Sequence, residues 1–71
     1  MKRPFDFIGH LGVNSKIVEN ELFERGFEIE SAEEKDGFAF RVYKSVPFVY
    51  HIHAKYRIER TGLFADSFTI Y

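Results

Sequence analysis

From Gly37 to Ile58 the sequence GFAFRVYKSVPFVYHIHAKYRI alternates side-chain character almost without a break, and this run restricts the fold more than any other stretch. A period of two over such a length marks half-buried antiparallel strands. Taken by hydrophobicity, Phe38, Phe40 and Val42 belong to one face, with Phe48, Tyr50, Ile52, Ala54, Tyr56 and Ile58 beside them. The opposite face then receives Arg41, Tyr43, His51, His53, Lys55 and Arg57.

Two turns are expected to frame the alternation. Asp36-Gly37 is a strong hairpin signal, because both central residues of a type I′ turn need positive φ. It predicts Lys35 opposite Phe38, Ser31 opposite Val42 and Ile29 opposite Lys44, which puts Phe27 and Ile29 on the side of Phe38. A three-residue loop, Ser45-Val46-Pro47, would set Phe40 opposite Ile52 and Val42 opposite Tyr50. After Arg60-Thr61-Gly62 a three-residue loop with a left-handed Gly62 sets Phe64 opposite Ile58, Phe68 opposite Ala54 and Ile70 opposite Ile52. That register leaves Asp66 inward, at a frayed edge, bonded to the Tyr56 hydroxyl, or marking a bulge that turns it out.

Upstream, residues 14–25 predict a helix. Asn14 is a good N-cap, Val13 and Val18 occupy the positions of a hydrophobic staple, and Gly26 suits the left-handed residue past the last turn. Ile17, Val18 and Leu22 form the apolar stripe, with Glu19, Asn20 and Glu24 on the far side. Phe23 lies off that stripe, either packed under the amino-terminal segment or exposed as a partner anchor. Residues 1–13 combine Pro4, Gly9 and Gly12 with Phe5, Phe7, Ile8 and Leu11, and predict a short extended segment closing one end of the core. The expected whole is one α+β domain over residues 1–71. A helix at about 14–25 packs on one face of a four-stranded antiparallel meander at about 27–34, 38–44, 48–59 and 63–71.

At 71 residues the core is small, and the chain has no cysteine to staple it. Nine phenylalanines and four tyrosines supply the apolar area instead. Self-association as a homodimer is the other route to a buried core. The absence of cysteine suits the cytoplasm, the amino terminus has no unbroken apolar run of a signal peptide, and no stretch is long enough to span a bilayer. A soluble, cytoplasmic protein with no membrane partner is the expectation.

The formal net charge of −1 argues against a wholly basic nucleic-acid binder. Its distribution is uneven: from Glu19 to Asp36 acids dominate, and from Arg41 to Arg60 bases dominate. The expected contact surface is therefore the basic and aromatic sheet face of Arg41, Tyr43, His51, His53, Lys55 and Arg57. Glu19, Phe23 and Glu24 on the helix exterior form a second candidate surface, and the acids Glu19, Glu24, Glu33, Glu34 and Asp36 would imitate a phosphate backbone toward a basic groove. On the sheet face, Glu28, Glu30 and Glu34 from the first strand would pair with the bases, which alone would account for a solvated surface.

His51-x-His53 has a spacing that zinc sites use, but a third ligand is missing and the neighbouring cations oppose a metal. A pH-dependent contact is the simpler use of the pair. There is no cysteine nucleophile, no GxSxG motif and no phosphate-binding glycine loop, so no catalytic residue and no cofactor is expected. The sequence predicts a non-enzymatic binding protein, an inhibitor or adaptor whose partner is another protein. A single-stranded nucleic-acid-binding domain using the sheet face is the alternative.

Overall fold

The computed structural model describes residues 11–45 and 50–70. One helix, α1 (Ser15–Glu24), is followed by four strands, β1 (Phe27–Lys35), β2 (Phe38–Ser45), β3 (His51–Glu59) and β4 (Gly62–Ile70). They form one antiparallel sheet in the order β1-β2-β3-β4, with the helix against it. The α+β layout read from the sequence is the observed one. The expected conformation of residues 1–10, the Val46-Pro47 turn and the inward Phe48 lie outside the described residues.

The helix begins where its cap dictates. Asn14 Oδ1 accepts from the Lys16 amide at 2.9 Å, satisfying one of the free donors of the first turn. Arg25 ends the helix and Gly26 follows at φ 84°. Val18 is fully buried and the half-buried Val13 packs against the same cluster, in keeping with a staple. The inward face differs from the expected stripe, however. Ser15, Val18 and Leu22 are buried, whereas Ile17 is 53% exposed.

The Asp36-Gly37 turn forms as read, with φ of 54° and 81° and Lys35 opposite Phe38. Beyond Ser31 a bulge at Glu30 shifts the ladder, so Ile29 pairs with Tyr43 and Phe27 with Ser45. Phe27 and Ile29 therefore do not share the face of Phe38, and the bulge carries them to the other side.

The β2–β3 register is the larger correction. Tyr43 pairs with Ile52, Arg41 with Ala54 and Ala39 with Tyr56, one parity away from the expected pairing. Ser45 donates its amide to the Tyr50 carbonyl at 3.0 Å, and its hydroxyl accepts from the Tyr50 amide at 2.9 Å. A shift of one residue exchanges the two faces of a strand. Ala39, Tyr43 and Ser45 are consequently buried toward the helix, with Arg41 on the same side, while Phe38, Phe40 and Val42 line the opposite face. The packing explains the choice. Ala39, Ala54 and Ala65 leave room between helix and sheet for the rings of Tyr43 and Tyr56, both fully buried.

Strand β4 reconciles two parities with a second bulge. A two-residue turn, Arg60-Thr61, pairs Glu59 with Gly62, so Leu63 and Ala65 lie opposite Ile58 and Tyr56. Asp66 is the extra residue, after which Phe68 meets Ala54 and Ile70 meets Ile52. Phe64 falls opposite Arg57 instead of Ile58. The bulge among the expected fates of Asp66 is the one that occurs, and the side chain is exposed. Alongside, the Gly12 amide donates to Ala65 O at 2.8 Å and the Ala65 amide to Val13 O at 2.9 Å, covering part of the β4 edge.

Candidate functional site

Two groupings of polar and aromatic side chains result, one on each face of the sheet. The first lies under the helix. Tyr43 donates to Glu19 Oε2 at 2.8 Å, and the hydroxyls of Tyr43 and Tyr56 are 2.8 Å apart. Since Tyr43 has one proton and gives it to Glu19, Tyr56 is the donor to Tyr43. Arg41 Nε lies 3.6 Å from the same Glu19 oxygen. Burial pushes the Tyr56 hydroxyl up to about 12, opposed by its hydrogen bond to Tyr43, reinforced by the charge of Glu19 and opposed again by Arg41. Tyr43 is pushed higher still, first by burial, then by Tyr56 and Glu19. Both rings are fully buried, and the chain of hydroxyls ties the helix to the sheet. This placement corrects three expectations: Arg41 and Tyr43 leave the open face, and Glu19 faces the sheet instead of solvent.

The second grouping is the open face itself. Row by row across the strands, Glu33, Phe40, Lys55 and Ser67 stand level, as do Ser31, Val42, His53 and Thr69. Glu28, Lys44 and His51 form the row toward one end, and Lys35, Phe38, Arg57 and Phe64 the row toward the other. His51, His53, Lys55 and Arg57 therefore do share the face they were assigned to. Glu28 is there as expected, but Glu33 replaces Glu34, which lies with Ala39 on the helix side. Glu30 reaches the open face through its bulge, with its carboxylate 3.7 Å from His51 Nε2.

The middle of this face is apolar. Phe38 and Phe40 have ring centroids 6.4 Å apart, and Lys55 Nζ sits 4.0 Å over the Phe38 ring. The lysine stem covers aromatic surface while its charge stays within reach of a partner. A depression of about 210 Å³ lies here, lined by Phe40, Val42, His53, Lys55, Ser67 and Thr69 among others. Arg57 pairs with Glu59 at 3.2 Å. The face thus has acids along β1, apolar groups along β2 and bases along β3. Among the described residues no cluster of three or more side chains could hold a metal ion.

On the helix exterior, Phe23 is 46% exposed and Glu24 is exposed, but Glu19 is turned away from them. The second candidate surface is thereby divided. Any packing of Phe23 under residues 1–10 lies outside the described residues. Among the described residues no helix is long and apolar enough to cross a membrane.

Sequence reasoning missed the Glu19–Tyr43–Tyr56 chain and the aromatic character of the open face. A signal for both existed in alternating β2, where one parity is Phe, Phe, Val and the other Ala, Arg, Tyr, Ser; each contains apolar groups, and hydrophobicity alone favoured the wrong one. The class that these features define is a small α+β domain with one sheet face free of secondary structure among the described residues. Comparison with known families, with curated proteins and with solved structures finds no match to this chain.

Proposed function

We propose that this is a non-enzymatic binding protein whose contact surface is the open sheet face and whose partner is another protein. The observation that carries the reading is the apolar row Phe38, Phe40 and Val42, set between acids on β1 and bases on β3. Aromatic groups at the centre and charges at the margin are the composition of protein contact surfaces. The acidic helix surface is the weaker contact, because Glu19 is engaged beneath it.

Affinity capture on immobilised protein tests the reading. A protein retained by the wild type should be lost with Phe40→Asp and kept with Glu24→Lys. Retention indifferent to Phe40 would overturn it. A single-stranded nucleic acid is the second reading, favoured by Lys55 over Phe38 with Arg57 and Phe64 alongside. Labelled RNA or DNA would then bind with an affinity falling steeply between two salt concentrations. No binding at low salt removes that reading, and the acids along β1 weigh against it.

A further inference from the structure

We propose that the depression on the open face takes a carboxylate side chain of the partner protein, carried on an extended segment that crosses the strands and reads basic, aromatic and acidic at alternate residues. The inference rests on the open face being the surface for another protein, and it names the chemistry of the segment that docks there.

Three polar groups around the depression have no partner among the described residues. Lys55 stands opposite Ser67 across β3 and β4, and His53 opposite Thr69 in the next row. No described carboxylate pairs with the Lys55 ammonium, and no described group hydrogen-bonds the Ser67 or Thr69 hydroxyl. The two hydroxyls lie along the β4 side of the depression, ~7 Å apart along the strand. The ammonium lies at its Phe38 end, where the ring face holds a cation without a counter-ion. Its flexible stem lets it follow an anion with no movement of the backbone. A carboxylate has two oxygens and about four lone-pair sites, enough to accept from all three groups. At about 210 Å³ the space is below the ~300 Å³ at which small-molecule pockets begin, and it suits one side chain better than a whole metabolite.

The row through the depression supplies the rest of the pattern. From β1 to β4 it runs Glu33, Phe40, Lys55, Ser67, and Glu33 pairs with no base among the described residues. Strands stand ~4.8 Å apart, so Glu33 is about 12 Å from the midline of β3 and β4, with Phe40 between. An extended chain sets residues i and i+4 about 13 Å apart, with i+2 between them on the same side. A base, an aromatic ring and an acid at those positions therefore come over Glu33, Phe40 and the Lys55–Ser67 pair together.

The other rows do not offer this match. Lys35, Phe38, Arg57 and Phe64 include no acid, and Arg57 is held by Glu59. Ser31, Val42, His53 and Thr69 include no acid either, and Glu28, Lys44 and His51 include no large apolar group. Asp66 adjoins Ser67 in the chain but stands exposed at the bulge, where salt screens its repulsion. Exposed charge contacts are individually weak, so the isolated segment should bind with a dissociation constant on the order of 1 mM.

Amide NMR of the isotope-labelled full chain, titrated with the capped peptide acetyl-Lys-Ala-Phe-Ala-Glu-amide, tests the proposal. Saturable shifts should appear at Phe40, Val42, Lys55, Ser67 and Thr69, with none along α1. Replacing the peptide's glutamate by glutamine should weaken binding about fivefold. Lys55→Gln should weaken the glutamate peptide by a similar factor and leave the glutamine peptide unchanged. Lys55→Glu should recover affinity for a peptide that ends in lysine. The same spectra show whether each variant is folded, and Glu33→Gln, on the far side of Phe40, should weaken only peptides that begin with lysine. Absence of shifts at these amides, or equal affinity for the glutamate and glutamine peptides, overturns the proposal. If the wild type then still retains a protein through Phe40, only the carboxylate pocket is refuted. Single-stranded nucleic acid that shifts these amides when the peptide does not refutes both the pocket and the protein-binding reading beneath it.

Discussion

At Glu19 one carboxylate oxygen accepts from the buried Tyr43 hydroxyl while Arg41 approaches it at 3.6 Å. Removing the donor should therefore cost more than an exposed acidic run would suggest. Tyr43→Phe leaves the Tyr56 hydroxyl without its acceptor in a fully buried site, and the loss should be about 1–3 kcal/mol in a denaturant titration. The same pair predicts a dependence on alkaline pH. In the unfolded chain a tyrosine ionises near 10, whereas the folded Tyr56 holds its proton up to about 12. The stabilisation is complete below pH 10 and disappears as the pH passes 12, because the unfolded state releases protons that the folded state keeps. The denaturation midpoint should fall across that interval, and Tyr56→Phe should flatten the fall. A midpoint independent of pH up to 12 would count against a buried, neutral pair.

Among the elements, β2 decides which face is wet. Ala39 is fully buried between helix and sheet, so Ala39→Leu forces extra methylenes into filled space and should cost ~1–3 kcal/mol. Phe40→Ser, at a half-buried ring on the open face, should cost the monomer less than Ala39→Leu does under the helix. The opposite ranking in thermal melts would restore the parity that hydrophobicity alone favours. For α1 the sensitive positions are its cap and its inward face. Asn14→Ala removes the acceptor for the Lys16 amide and should cost ~1 kcal/mol. Leu22→Ala, at a fully buried site, should cost about 2–5 kcal/mol. Ile17→Ala should cost far less, since that side chain is half in water. The cap, the end of the helix at Arg25 and the Asp36-Gly37 turn were legible because each is a local event, set by residues within a few positions of one another. The two bulges were harder to see, since a bulge is defined by the strand across from it. Asp66 had a place among the readings only because its polarity broke the pattern, and nothing in FEIES marked Glu30 in the same way.

For the whole molecule, a 10-residue helix lies across a sheet of four eight- or nine-residue strands, and the opposite sheet face has no covering element among the described residues. A core of this size is marginal, and covering Phe38, Phe40 and Val42 would add to it. The melting temperature should accordingly rise when a partner segment occupies that face, as mass action requires. A melting temperature unmoved by saturating peptide would count against that cover. Half of the candidate surface was visible in the sequence: His51, His53, Lys55 and Arg57 alternate within one strand, and a strand alternates however its neighbours pair.

Period-two patterns, a capped helix and glycine turns were sufficient to establish one helix and four antiparallel strands, because each depends on backbone preferences over a few residues. Which side of β2 faces the helix was decided only in three dimensions. Both parities carry apolar groups, and the difference lies in fit: small alanines and two tyrosines, whose hydroxyls run in a chain to the Glu19 carboxylate, fill the narrow space beneath α1, and the larger phenylalanines are left on the open face.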